Sequence, residues 1–199
     1  KTIFSYEYIG NCYICGLINK LFMENNVSPA KSGISYGVLY GVIMVLEFVI
    51  MYVIGMKSLV NTSFGVIVNV ANYLILPLIF IYVGCNHYKK NINGGYISFG
   101  QCLKAGVSIA FVAAIIYGAF SVIFNFIFPE FIDEMVSISK TAMLKENPEM
   151  TSEQLEMGLS MMKKFSNPLI VFPVTLAMYS FLGLIYSLII GAIVKNDKP

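Results

Sequence analysis

The chain has 199 residues, of which 57% are hydrophobic and 12% charged, with a net charge of +2. A soluble domain of that size would lack the polar surface it needs, so a bilayer must solvate much of the chain. All thirteen basic residues are lysine; with no arginine fork and with the lysines scattered, the composition argues against nucleic-acid binding, and the net charge is too small to imply an acidic partner.

The first segment, Lys1 to Phe22, is rich in Ile, Tyr, Asn, Lys, Cys and Phe, the residues that translated AT-rich non-coding DNA tends to give. It is no secretory signal, because the apolar stretch from Tyr13 to Ile18 is short and no A-x-A-like site follows. The expectation is a true start at Met23, with residues 23–199 forming one transmembrane domain. The alternative for residues 1–22 is a short interfacial helix.

Four stretches follow that are long and apolar enough to cross a membrane: Tyr36 to Met56, Phe64 to Tyr82, Leu103 to Phe128 and Leu169 to Val194. Each is near or above the ~20 residues that span ~30 Å of hydrocarbon at ~1.5 Å per residue. Backbone polar groups in lipid must be satisfied within the protein, and no ten-residue alternating pattern suggests a barrel. The fold class is therefore all-α, a polytopic membrane protein of four helices.

Between the second and third spans, Asn93-Gly94-Gly95 signals a turn. Ser98-Phe99-Gly100-Gln101 then reads as a capping box, which predicts a third helix starting at Phe99. The long segment Pro129 to Asn167 carries another box, Thr151-Ser152-Glu153-Gln154, just after the chain-breaking Asn147-Pro148. That pattern predicts an amphipathic helical hairpin, with arms near Pro129 to Glu146 and Ser152 to Phe165. Ile132, Met135, Val136, Ser139 and Met143 share one face of the first arm, and Leu155, Leu159 and Met162 one face of the second. These faces either pack on each other or on the membrane interface, or the methionines (135, 143, 150, 157, 161 and 162) form an adaptable surface for a ligand or partner.

Lysines 31, 89, 90, 104, 195 and 198 flank the spans on one side, which predicts cytoplasmic termini and an outer hairpin. Lys57 is a small departure from that bias, and Lys104, one turn inside the third span, reads as a snorkelling side chain. The hairpin segment itself carries seven acids (Glu130, Asp133, Glu134, Glu146, Glu149, Glu153, Glu156) against four lysines.

Small residues recur every four positions: Gly33, Gly37 and Gly41; Gly106, Ala110, Ala114 and Gly118; Gly183, Ser187 and Gly191. Such ridges let helix backbones approach closely, and most of them fall in the cytoplasmic half, so the bundle should be tight there and looser outside. The polar groups within the spans, Glu47, Asn69, Asn72, Ser121 and Thr175, all fall in the outer half and form a candidate pocket. Pro77 frees the Tyr73 carbonyl and Pro173 that of Leu169, which adds acceptors. Glu47 is the only acid inside the spans. It is either protonated, or hydrogen-bonded to a partner such as Asn72, or a proton- or cation-linked group.

No catalytic constellation emerges: there is no H-E-x-x-H, no P-loop, no G-x-S-x-G and no paired intramembrane carboxylate. The expectation is a non-enzyme with no cofactor and no metal. Cys85, His87 and Cys102 meet at the cytoplasmic ends of spans two and three, and Cys12 and Cys15 offer a remote zinc alternative. Reduced thiols are the ordinary reading.

The run Gly94-Gly95-Tyr96-Ile97-Ser98-Phe99-Gly100 through Leu103-Lys104-Ala105-Gly106, then Phe128-Pro129-Glu130-Phe131 and Asn167-Pro168, resembles a family of small four-helix bacterial membrane proteins catalogued as domain of unknown function 4199. The similarity covers roughly Ser32 to Lys195. It implies a bacterial cytoplasmic membrane location and brings no activity, cofactor or site residue. Two functional readings stand: a binding or accessory protein that takes a lipid, a small molecule or a partner protein through an outward pocket and hairpin, or an oligomeric transporter or channel subunit with Glu47 as its coupling group.

Overall fold

The computed structural model describes residues 27–55 and 63–198. The segment Lys1 to Phe22 with Cys12 and Cys15, the proposed start at Met23, and Lys57 lie outside the described residues.

Helix α1 (Pro29–Ile54) begins almost two turns before Tyr36. The cause is local: the Ser28 hydroxyl accepts from the Lys31 amide at 3.2 Å, and Pro29 sits where a missing N–H leaves nothing unpaired. The second span is a composite of α2 (Ser63–Val70), a π turn (Ala71–Ile75), α3 (Leu76–His87) and a second π turn (Tyr88–Ile92). Its apolar run, Gly65–Ile92, passes Tyr82 by nearly three turns, because Gly84, Cys85 and Tyr88 still face the core there. Within the first π turn the Leu76 amide reaches back five residues to the Ala71 carbonyl, immediately before Pro77, which has no N–H to offer.

Helix α4 (Phe99–Ile127) starts at Phe99 behind a complete Ser98–Gln101 capping box. After a break at Pro129 come α5 (Glu130–Glu146) and α6 (Ser152–Phe165), the latter behind the Thr151–Gln154 box. Ile138 and Leu155 are the buried residues of this pair, and an exposed ion pair joins Lys163 to Asp133 at 2.9 Å. The last span, α7 (Pro168–Val194), is capped by Asn167, whose side chain accepts from the Leu169 amide. Four of these segments are long and apolar enough to cross a membrane, and the described residues contain no strand beyond the single bridge Ile97–Asn196. The architecture is a four-helix membrane bundle.

Helix α4 is the centre, packed by α1 on one side and α7 on another, with α3 against all three. The glycine ridges make the approach possible. A Cβ at Gly37 would come within 2.7 Å of the Ile109 carbonyl, and one at Gly33 within 2.7 Å of the Ala105 carbonyl. On the other face of α4, Gly106 receives Ser187 and Gly183 abuts Ala110. Around these contacts lie the fully buried side chains Tyr40, Ile81, Cys85, Cys102, Ile109 and Ser187. Close packing of small residues supplies dispersion energy that lipid cannot match at such distances.

One end of the bundle is tied by polar contacts. The Lys89 ammonium donates to the Val194 carbonyl at 2.9 Å, Ile97 and Asn196 exchange backbone hydrogen bonds, and the Asn196 amide donates to Gly95 at 2.9 Å. The Ser108 hydroxyl donates to the Ala30 carbonyl at the same end. Lys31, Lys89, Lys90 and Lys195 therefore share that end, and α5 and α6 follow α4 at the other. Lys104 is exposed.

Candidate functional site

At the hairpin end, where the glycine contacts give way to larger residues, a cavity of about 420 Å³ opens between α1, the second span, α4 and α5. Glu47, Asn69, Asn72 and Ser121 all line it. Thr175 is not among its lining residues; it lies half-buried on α7, one turn before Tyr179, which is. The remaining walls are Met44, Phe48 and Met51 from α1, Val68 and Tyr73 from the second span, Tyr117 from α4, and Phe131 and Met135 from the start of α5.

The two most consequential atoms have no protein partner. Glu47 Oε2 and Asn72 Oδ1 are both buried and accept no hydrogen bond, so the pairing of Glu47 with Asn72 that would neutralise both is not formed through these oxygens. Asn69 instead turns its amide to the Gly65 carbonyl of its own helix at 3.0 Å. Among the described residues, Glu47 is the only charged one in the lining. A buried carboxyl oxygen with no donor is a costly arrangement, which marks the site as incomplete by itself.

The backbone acceptors released near Pro77 have a different fate. The Tyr40 hydroxyl donates to the Asn72 carbonyl at 2.9 Å and the Tyr186 hydroxyl donates to the Tyr73 carbonyl. Pro77 does free the Tyr73 carbonyl, but that oxygen is filled from the last span and adds no acceptor to the cavity. These two phenols hold the irregular turn in place, and with it the orientation of Asn72 and Tyr73. Tyr73 stacks on Tyr179 with ring centroids 6.0 Å apart, which closes one side of the cavity.

The opposite wall is an aromatic cluster. Phe48 makes edge contacts with Phe120, Phe124 and Phe131, at centroid distances of 5.5, 4.9 and 5.6 Å. Tyr52 and Phe128 extend it. Phe131 lies in the first turn of α5, so the hairpin is joined to the bundle through this cluster, and its Met135 forms part of the cavity wall.

Helical spacing carries a signal for several residues that the polar inventory passes over. Tyr40, Met44, Glu47 and Met51 recur at i, i+4, i+7 and i+11 on one face of α1, and Tyr117 and Ser121 are one turn apart on α4. Tyr73 and Tyr179 carry no such signal, because a π turn shifts the phase of the first and only the fold brings the second alongside.

Two other places carry less. A larger cavity of about 690 Å³ between α4 and α7 is walled by Phe126, Leu169 and Phe172; Phe126 and Leu169 are 79% and 84% exposed, so this is a lipid-facing groove. The thiols of Cys85 and Cys102 meet in the core with sulfurs 2.7 Å apart. Among the described residues no group of three His, Cys, Asp or Glu is placed to hold a metal ion.

No match was found among curated proteins or solved structures. A family profile described as "Protein of unknown function (DUF4199)" matches residues 35–196, a stretch that begins inside α1, ends just past α7 and takes in every residue of the cavity. On that match, the chain belongs to the DUF4199 family.

Proposed function

We propose that this is a non-enzymatic binding or accessory protein of the bacterial cytoplasmic membrane, multi-pass with both termini cytoplasmic, which takes a small ligand in an outward-facing cavity under the hairpin. The observation that carries the reading is the pair of buried, unpartnered oxygens, Glu47 Oε2 and Asn72 Oδ1, on the walls of one cavity. Native proteins satisfy such groups, so a pair left without partners on two residues that line one cavity argues for a ligand that supplies donors. The lysine-bearing end supports this orientation by the positive-inside rule. An exposed stripe on α6, Met157, Met161 and Phe165, offers the hairpin a surface for the membrane interface or a partner protein.

Native mass spectrometry of the protein released gently from nanodiscs tests this reading. A monomer that retains a defined small-molecule or lipid mass supports it. A ligand-free closed oligomer opposes it and favours the second reading, an oligomeric transporter or channel subunit. Glu47 supports that alternative as well, because an acid beside a span interrupted by a π turn is a suitable coupling group. A proton flux in liposomes that disappears in Glu47→Gln would establish it.

A further inference from the structure

The chemistry of the cavity narrows its ligand. Resting on the binding reading above, we infer that the site takes a small organic ammonium ion bearing N–H donors and an apolar, preferably aromatic, body.

Three features combine. Among the described residues the lining holds one acid, Glu47, and no lysine or histidine, so its one ionisable carboxyl group has no basic side chain beside it there. Both unpartnered buried atoms there are acceptors, Glu47 Oε2 and Asn72 Oδ1. A cation with N–H groups satisfies both, whereas an anion or an acceptor-only ligand satisfies neither. The Tyr40 and Tyr186 phenols do not fill this role, since they donate to the Asn72 and Tyr73 carbonyls.

The rest of the wall suits the organic part of such a ligand. Tyr73, Tyr117 and Tyr179 line the cavity together, and an aromatic face attracts a cation where water is scarce. Met44, Met51 and Met135 supply thioethers that adapt to an apolar or aromatic body. An inorganic cation fits poorly. Hard metal ions take about six to eight oxygen ligands at close range, with carboxyl groups prominent among them, and among the described residues of this wall Glu47 supplies the single carboxyl. A volume of about 420 Å³ matches a small organic molecule.

Primary ammonium is distinguished from quaternary by the acceptors. Aromatic faces alone would accept either, but Glu47 Oε2 and Asn72 Oδ1 gain hydrogen bonds only from N–H.

The test is equilibrium binding to the full chain in phosphatidylcholine nanodiscs, with empty nanodiscs subtracted to remove partitioning. Three probes of similar shape are compared: phenethylammonium, trimethyl(phenethyl)ammonium and 3-phenylpropanol. The expected result is that phenethylammonium binds at least about ten-fold more tightly than either of the others. Glu47→Gln should remove that preference while leaving the alcohol unchanged, and Asn72→Ala should reduce the advantage over the quaternary ion. Ser121→Phe, which fills the cavity without altering charge, should abolish binding of all three. Equal binding of alcohol and ammonium, both blocked by Ser121→Phe, would overturn the ammonium assignment and leave the cavity as a binding site. Ammonium binding that ignores both Glu47→Gln and Ser121→Phe would overturn it as well. So would the absence of binding by any probe to protein whose melting curve shows it folded; a retained mass in native spectra would then still uphold a ligand of another class.

Discussion

The Tyr186 hydroxyl of the last span donates to the Tyr73 carbonyl of the second, the acceptor that Pro77 leaves open four residues later in the same helix. A ring defect in one helix is thus repaired by a phenol from another. Tyr186→Phe should leave that carbonyl unpaired and destabilise the protein by roughly 1 kcal/mol, in line with interhelical hydrogen bonds in lipid. In a Pro77→Leu background, where a backbone N–H is available again, the same substitution should cost less. Melting curves of the four proteins of this double-mutant cycle in one detergent measure the difference; equal costs in both backgrounds would disprove the link between the proline and the phenol.

Gly37 leaves room for nothing larger than hydrogen, since a Cβ there would lie 2.7 Å from the Ile109 carbonyl and 2.7 Å from Val112 Cβ. Gly37→Val should force α1 away from α4 and lower stability by about 1–3 kcal/mol. Gly100 provides the control, because nothing lies within 4 Å of a Cβ built there. Thermal denaturation followed by gel filtration should show early loss for Gly37→Val and little change for Gly100→Ala.

Because Glu47 Oε2 has no donor, Glu47→Gln removes the ionisable group without breaking a hydrogen bond at that oxygen. The melting temperature in ligand-free detergent should stay the same or rise. A clear fall would mean that the carboxylate ties helices together.

Cys85 and Cys102 are both fully buried. In a Cys12→Ser, Cys15→Ser background, a maleimide fluorophore should label neither in intact nanodiscs and both after denaturation in SDS. Rapid labelling of the folded protein would place a water path at the tied end of the bundle.

The orientation is checked from the hairpin. A reporter inserted after Glu149, in the exposed turn between α5 and α6, should respond only to reagents applied outside the cell. Cytoplasmic labelling there would invert the topology and turn the cavity toward the cytosol.

Much of the architecture was legible because it depends on local rules. Ser98 and Gln101 announce the start of α4, Thr151 and Gln154 that of α6, and the glycines at 33, 37 and 41 mark the face that meets α4. Depth alone brings together four polar residues of the spans, Glu47, Asn69, Asn72 and Ser121, and all four line one cavity. Depth does not give azimuth, however, and that is why Thr175, at a suitable height, does not join them. The phase of the second span was likewise hidden. A π turn rotates everything after Ala71 relative to a regular helix, and its formation reflects both Pro77 and two tyrosines far away in sequence. The aromatic wall was missed for another reason: in a chain this rich in phenylalanine, no single ring stands out until Phe48, Phe124 and Phe131 are seen to converge.

The tie between Lys89 and Val194 joins residues 105 positions apart, and the Ile97–Asn196 bridge beside it spans nearly as many. During synthesis, the loop after the second span emerges long before the residues that clasp it. The first three helices can therefore sit side by side in the bilayer while their shared end is still unlatched, and the residues that close the last span lock it. A ribosome that stalls or a protease that clips just before Lys195 would release a protein with every span in place and its base undone.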